Sequence, residues 1–227
     1  MTMSVEQRFG TGTLSQGAAM IYTLLAVELA LLLTAGPGLT LIVLLEPDAS
    51  NLPLAALCAL PAGPALSAAL YAIHHRRLDL TDLRPGFAFR RGYRLNVRGA
   101  LVVWAAWLAW VTILGMNLTG LGATGLPGWW AGPLVLVGTG ATLWMLNALV
   151  ITSLFVFRTR DVVRLSAYLM IRCPGVTVSN ICLLVAAAGG VWLWSEAALA
   201  LAGSLLVLVL LGNSRQLITV VRQEYTR

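Results

Sequence analysis

The chain has 227 residues, 59% of them hydrophobic and only 11% charged. Soluble globular domains carry about 25% charged residues, and several apolar runs here exceed the ~20 residues needed to cross a bilayer, which excludes a soluble catalytic domain. The net charge of +6 comes from 15 basic residues, all of them Arg, against 9 acidic ones. In so apolar a chain, that surplus fits one face of a membrane better than it fits nucleic acid.

The first seventeen residues are polar and mixed, with Glu6 and Arg8 cancelling. Ala18 to Leu45 is then apolar. It is too long for a signal-peptide core, and no A-x-A site ends it, so it reads as a retained anchor. Pro37, between Gly36 and Gly38, predicts a break or kink near its far end. A short acidic loop, Glu46-Pro47-Asp48, leads to a second span over 54–73, interrupted by Pro61-Ala62-Gly63-Pro64. Further spans are predicted over 100–121, 132–157, 174–194 and 197–217. The predicted fold is therefore all-α: one membrane domain, 1–227, built as a polytopic bundle of six transmembrane helices.

The connecting segments set the orientation. Residues 74–99 hold seven Arg and two Asp, residues 158–173 four Arg and one Asp, and the tail from Gly212 three Arg and one Glu. The alternate loops contain Glu46, Asp48 and Glu196 and no Arg. Arg collects on the cytoplasmic side of spanning helices, so both termini are predicted to be cytoplasmic. Trp129, Trp130, Trp192 and Trp194 fall at the opposite ends of their spans, at headgroup level. Small residues such as Ala186, Gly189, Gly190, Ala198 and Ala202 allow the last two helices to approach closely.

Two inner segments have an amphipathic pattern. Thr81-Asp82 can cap a short helix carrying Phe87, Phe89 and Tyr93 among Arg90, Arg91, Arg94 and Arg98, and residues 160–172 set Val162, Val163, Leu169 and Met170 against Arg160, Arg164 and Arg172. Both read as elbows at the cytoplasmic interface, anchored on anionic lipid. The first also offers a docking set for lipid or a partner: Phe89, Arg90, Arg91, Tyr93, Arg94, Asn96 and Arg98.

Several motifs fail on context. Gly120-Leu121-Gly122-Ala123-Thr124-Gly125 matches G-x-G-x-x-G, but a membrane span precedes it and Pro127 follows, so it is a loop and not a dinucleotide fingerprint. Glu196-Ala197-Ala198 with Gly203 misses the spacing and the side of an importer-permease coupling loop. His74-His75 have no carboxylate pair or third His, and Cys58, Cys173 and Cys182 show no paired spacing, so no metal or disulfide framework is expected. Asn117-Leu118-Thr119 spells a glycosylation acceptor, but the all-Arg, Ala- and Leu-rich composition reads as bacterial and sets it aside. Catalytic, cofactor-binding and metal residues are expected to be absent.

Glu28 is the one acidic residue deep within a span, ten residues in from Ala18 and ~15 Å deep at 1.5 Å each. A charge there costs at least ~2.5 kcal/mol on insertion scales, so Glu28 should face the bundle and find partners. Asn147 lies at similar depth in the fourth span, and Asn180 partway into the fifth. Together the three form a candidate intramembrane polar site, read either as a proton or solute site or as a protonated Glu28 bonded to an Asn and holding helices together.

The stretch Pro61-Ala62-Gly63-Pro64-Ala65-Leu66-Ser67-Ala68-Ala69-Leu70-Tyr71-Ala72 resembles a segment of the YesL-like family of bacterial multi-pass membrane proteins. So does Phe89-Arg90-Arg91-Gly92-Tyr93-Arg94-Leu95-Asn96-Val97-Arg98-Gly99-Ala100-Leu101, leading to Trp104. The likeness covers the first span through the start of the third, and the remainder by hydropathy. Glu28, nine residues before Pro37, stands where that family often carries Asn. The resemblance implies a six-span protein of the bacterial plasma membrane, often encoded near carbohydrate ABC importers and polysaccharide-degrading enzymes, with no established catalytic residues. Its implied role is a non-enzymatic accessory or regulator of carbohydrate uptake, with the lipid bilayer and components of carbohydrate ABC importers as partners and no nucleic acid. The alternative is a small transporter or channel using the site around Glu28.

Overall fold

The computed structural model describes residues 13–76, 84–122, 127–193 and 200–225. Among them the chain is helical throughout, with no strand. Nine helices follow in order: α1 (Thr13–Leu44), α2 (Leu52–Ala59), α3 (Ala62–His74), α4 (Pro85–Gly120), α5 (Ala131–Leu154), α6 (Thr159–Arg172), α7 (Pro174–Leu193), α8 (Gly203–Asn213) and α9 (Arg215–Tyr225). Four of these, α1, α4, α5 and α7, are long and apolar enough to cross a membrane; counting the bent pairs α2–α3 and α8–α9 as one span each brings the number to six.

Helix α1 runs through Pro37 to Leu44 without ending there. One proline removes one ladder bond, and nothing in a membrane-buried backbone favours giving up the rest. Its inward face is a stripe spaced by four, Ala19, Thr23, Val27, Leu31 and Ala35, while Ile21, Leu25, Leu29 and Leu33 are exposed on the other side. At Gly38 a side chain would overlap the backbone carbonyl of Cys58, so this glycine lets α1 and α2 touch backbone to backbone. Between the two helices, the Asp48 carboxylate accepts from the Ser50 N–H at 2.7 Å and caps a short turn, Ala49–Asn51.

The second hydrophobic segment is broken as expected, with α2 and α3 bent by 40°. The break frees the last carbonyls of α2, and the indole of Trp104 on α4 donates to one of them, Ala59, at 3.0 Å. Helix α3 then forms the centre of the fold, packed by α1, α4, α5 and α8. Nine of its thirteen residues are buried, most of them Ala, Gly, Ser or Pro. Small side chains bring the surrounding helices close: a side chain at Gly63 would overlap Trp104, and one at Gly92 of α4 would meet Tyr71 of α3 at 2.6 Å.

Helix α4 departs from expectation. The predicted inner elbow and third span are one continuous helix of 36 residues, about 54 Å long at 1.5 Å per residue. The predicted boundary at 99–100 is a change of composition, from Arg-rich to apolar, and a change of composition does not break backbone hydrogen bonds. Helix α5 ends at Leu154, three residues short of the predicted end at 157. The second elbow is a separate amphipathic helix, α6, with Val162, Leu165, Ser166 and Leu169 buried and its arginines outward. It lies along α5, where the Trp144 indole donates to the Val163 carbonyl at 3.2 Å.

The last predicted span, 197–217, is not a straight helix. Helix α8 starts after a break at Ala202 and ends at Asn213, and α9 leaves at 53° with Leu217, Ile218 and Val221 turned inward. Eleven residues span only about 17 Å, half a bilayer core. The Thr81-Asp82 cap, residues 123–126 of the Gly-rich loop, Trp194 and Glu196-Ala197-Ala198 lie outside the described residues.

Candidate functional site

Glu28 stands at the middle of α1, half-buried on the side facing α8. Its Oε2 accepts from the backbone N–H of Ser204 at 2.6 Å. Ser204 lies in the first turn of α8, whose opening N–H groups have no carbonyl one turn back because the chain breaks at Ala202. Gly203 carries no side chain to hold the carboxylate off; a Cβ there would sit 3.4 Å from Oε1. Glu28 thus caps, from another helix, a short helix that starts beside the middle of α1. A carboxylate at a helix N-terminus adds about 0.3–1 kcal/mol, and up to ~2 kcal/mol where partly buried. The other oxygen, Oε1, is buried with no hydrogen-bond partner.

The Asn partner expected for Glu28 is not what the fold provides. Asn180 of α7 and Asn213 of α8 pair instead, Nδ2 of Asn213 donating to Oδ1 of Asn180 at 3.3 Å, while Nδ2 of Asn180 is unpaired. Asn147 of α5 is 1% exposed, and its Oδ1 has no partner. Among the described residues no hydrogen bond joins Glu28, Asn147 and Asn180 to one another. A backbone N–H has no signature in a sequence pattern, which is why Ser204 could not be named as the partner beforehand.

A second polar cluster, not singled out by the sequence pattern, ties α3, α4 and α5 together. The Ser153 hydroxyl donates to that of Ser67 at 2.8 Å, and Asn96 Nδ2 donates to the Ser153 carbonyl at 3.0 Å. Asn96 is therefore turned inward from the arginine-rich stretch of α4. Phe89 is also buried there and Tyr93 half-buried, whereas Arg90, Arg91, Arg94 and Arg98 are exposed. The side chains expected to act together divide into an inner set that seats the helix and an outer set of four guanidiniums, with Phe87 and Leu95 exposed beside them.

One large groove offers little chemistry. A groove of about 460 Å³ between α4 and α5 is lined by Trp107, Trp110 and Trp144 with Ala106, Val137 and Ala141. Its only polar groups are indole N–H groups, and those of Trp107 and Trp144 already donate, to Thr142 and to Val163. No group of three or more His, Cys, Asp or Glu that could hold a metal occurs among the described residues. No protein-family model, curated protein or solved structure matches the chain.

Proposed function

We propose that this chain is a non-enzymatic, multi-pass protein of the bacterial plasma membrane. Six hydrophobic segments cross the membrane, both termini are cytoplasmic, and the protein serves as an accessory or regulator of carbohydrate uptake. The observation that carries the reading is the length of α4. Its 36 residues exceed the ~30 Å hydrocarbon core by about 24 Å, so its first turns, with Arg90, Arg91, Arg94 and Arg98 exposed, stand clear of the bilayer as a rigid basic arm. A helix fixed to the core by Phe89, Gly92 and Asn96 presents its guanidiniums in set positions, as bidentate pairing to carboxylates requires. The link to carbohydrate uptake rests on the resemblance to the YesL-like family.

The test is recovery of ABC-importer components from membranes solubilised in mild detergent, with the native chain and with Arg91→Lys, Arg94→Lys and the matching Ala variants. Docking predicts that Lys fails nearly as badly as Ala, because an ammonium cannot reproduce the planar fork. Equal recovery with every variant, or none with the native chain, removes the accessory reading.

One observation favours a second reading, a small proton-coupled transporter. Glu28 meets a half-helix N-terminus near mid-membrane and keeps one oxygen unpaired, an arrangement in which discontinuous helices hold substrates or ions. pH-dependent uptake into vesicles that Glu28→Gln abolishes without unfolding the protein selects that reading.

A further inference from the structure

On the arginine-rich side, the end of α3 and the corner between α8 and α9 enclose a cavity of about 460 Å³, within the ~300–1,000 Å³ typical of ligand sites. Three basic side chains line it: His74 and Arg76 from the end of α3, and Arg215 from the start of α9. Arg222, two turns further along α9, lies within electrostatic reach of His74, as do His75 and Arg76. No Asp or Glu is among the described residues lining it. Burial first, and the neighbouring His75, Arg222 and Arg76 after it, push the His74 pKa below the ordinary imidazole value. The charge in this partly enclosed space therefore comes from Arg76 and Arg215, which repel one another unless an anion sits between them.

The donors available fit a phosphate. Arg76 gives one N–H to the Ile73 carbonyl at 3.0 Å, which fixes the guanidinium and leaves four of its five donors. Arg215 opens α9, so its side chain and the positive end of an eleven-residue helix lie at the same edge. One turn on, Thr219 also lines the cavity, its hydroxyl donating to the Arg215 carbonyl at 2.9 Å. Apart from Gly212 and Thr219, the remaining wall is apolar: Leu208 and Leu211 of α8, with Ile218 of α9. Helix α8 continues outward with exposed Leu205 and Val209, a track for an acyl chain from the cavity into the lipid.

We infer that this cavity binds the phosphate of an anionic phospholipid, with one acyl chain laid along α8. A free phosphate would leave the leucine wall without a partner, and a zwitterionic headgroup would bring its own cation into a cationic space. The lipid holds α8 and α9 at their bend and so fixes the arginine-rich side of the last segment to the bilayer. This site is separate from the arm of α4 and stands whether or not that arm docks a protein.

The experiment is thermal unfolding of the full chain in detergent, titrated with short-chain phosphatidylglycerol, with phosphatidylcholine of the same chain length, and with inorganic phosphate. Phosphatidylglycerol raises the unfolding midpoint and the other two do not. Arg215→Gln and Arg76→Gln each weaken the apparent lipid affinity about five-fold, the effect of removing one basic residue near an anionic headgroup. Arg158→Gln, exposed just before α6 and not lining the cavity, changes it less than about two-fold. Arg215 is solvent-exposed, so its variant carries the test even where Arg76→Gln disturbs the end of α3. Equal stabilisation by phosphatidylcholine or by inorganic phosphate, no shift with phosphatidylglycerol, or a shift that the cavity variants leave intact would each overturn the assignment.

Discussion

Helices α3 and α7 are both apolar, yet they relate to the fold in opposite ways. Nine of the thirteen residues of α3 are buried, against Val176 and Asn180 alone among those of α7. Hydropathy does not separate them, because lipid tails are as apolar as a protein core. Small side chains occur on both, so placement does: those of α3 lie against four neighbouring helices, whereas the small residues expected to bring the last helices together, Ala186, Gly189 and Gly190, meet little on α7, and Val178 and Val185 are exposed. What holds α7 is a few polar joints: Thr177 Oγ1 donating to the Met170 carbonyl at 2.8 Å, and Asn213 donating to Asn180. One half of the molecule is specified by close fit, the other by isolated hydrogen bonds.

The strongest way to break this contrast is to enlarge glycines on both sides of it. Gly63→Leu drives a side chain into Trp104, which cannot swing aside without releasing the Ala59 carbonyl. Overpacking costs about 1–3 kcal/mol where neighbours adjust, and more where they cannot. The expected result for Gly63→Leu, and for Gly92→Leu against Tyr71, is a loss above ~3 kcal/mol or no folded protein. Gly189→Leu on α7 meets nothing within 4 Å and should leave thermal stability in detergent within about 1 kcal/mol. If Gly189→Leu is as damaging as Gly63→Leu, α7 packs against a surface of its own and the contrast fails.

The middle of the scale belongs to the polar joints. Glu28→Gln keeps an oxygen to accept from Ser204 and should change stability by less than about 1 kcal/mol. Glu28→Leu removes the cap of α8 and should cost about 1 kcal/mol, the usual worth of an N-cap. Asn180→Ala should cost about 0.6 kcal/mol, since hydrogen bonds within membranes average near that value. Unfolding in mixed micelles, with the same detergent for every variant, ranks the three. A loss of several kcal/mol for Asn180→Ala would show that α7 depends on more than its joints.

The boundary between what was legible in the chain and what was not runs along the same contrast. Pro61 and Pro64 announced the break between α2 and α3, the hydrophobic runs announced the long spans, and the alternation over 160–172 announced α6, because each rests on local chemistry. The continuity of α4 was hidden, since nothing near Gly99 and Ala100 marks that the helix carries on across a sharp change in polarity. The breaks at Ala202 and Ser214 were missed as well, since no proline marks them and Gly203-Ser204 and Gly212-Asn213-Ser214 are weak signals inside an apolar run. The Glu28 cap and the His74–Arg76–Arg215 cavity depend on segments far apart in the chain, and charge spacing along one helix says nothing of them. The sparse half is where sequence said least.

The finest test of the contrast lies at its edge, where α6 turns into α7. Cys173 occupies that corner, 1% exposed, with its N–H on the Leu169 carbonyl at 2.9 Å and its own carbonyl accepting from Val176 and Thr177. Burial pushes the thiol pKa up; Arg172 pulls it down and Glu224 adds to the rise, both by lesser amounts. The thiolate is the reactive form, so at neutral pH this sulfur is both mostly protonated and closed off. In a variant keeping only Cys173, with Cys58 and Cys182 replaced by Ala, a water-soluble maleimide at pH 7 should react at least about ten-fold more slowly in the folded protein than in the unfolded chain. Raising the pH by one unit should speed the folded reaction about ten-fold, because the thiolate fraction grows in proportion while pH stays below the raised pKa. Arg172→Gln removes the opposing charge, raises the pKa further and should slow the reaction less than about three-fold, since Arg172 is exposed and screened. Labelling as fast as in the unfolded chain would mean that the corner opens on its own, and that a hydrogen-bonded joint in this half of the molecule is looser than its geometry implies.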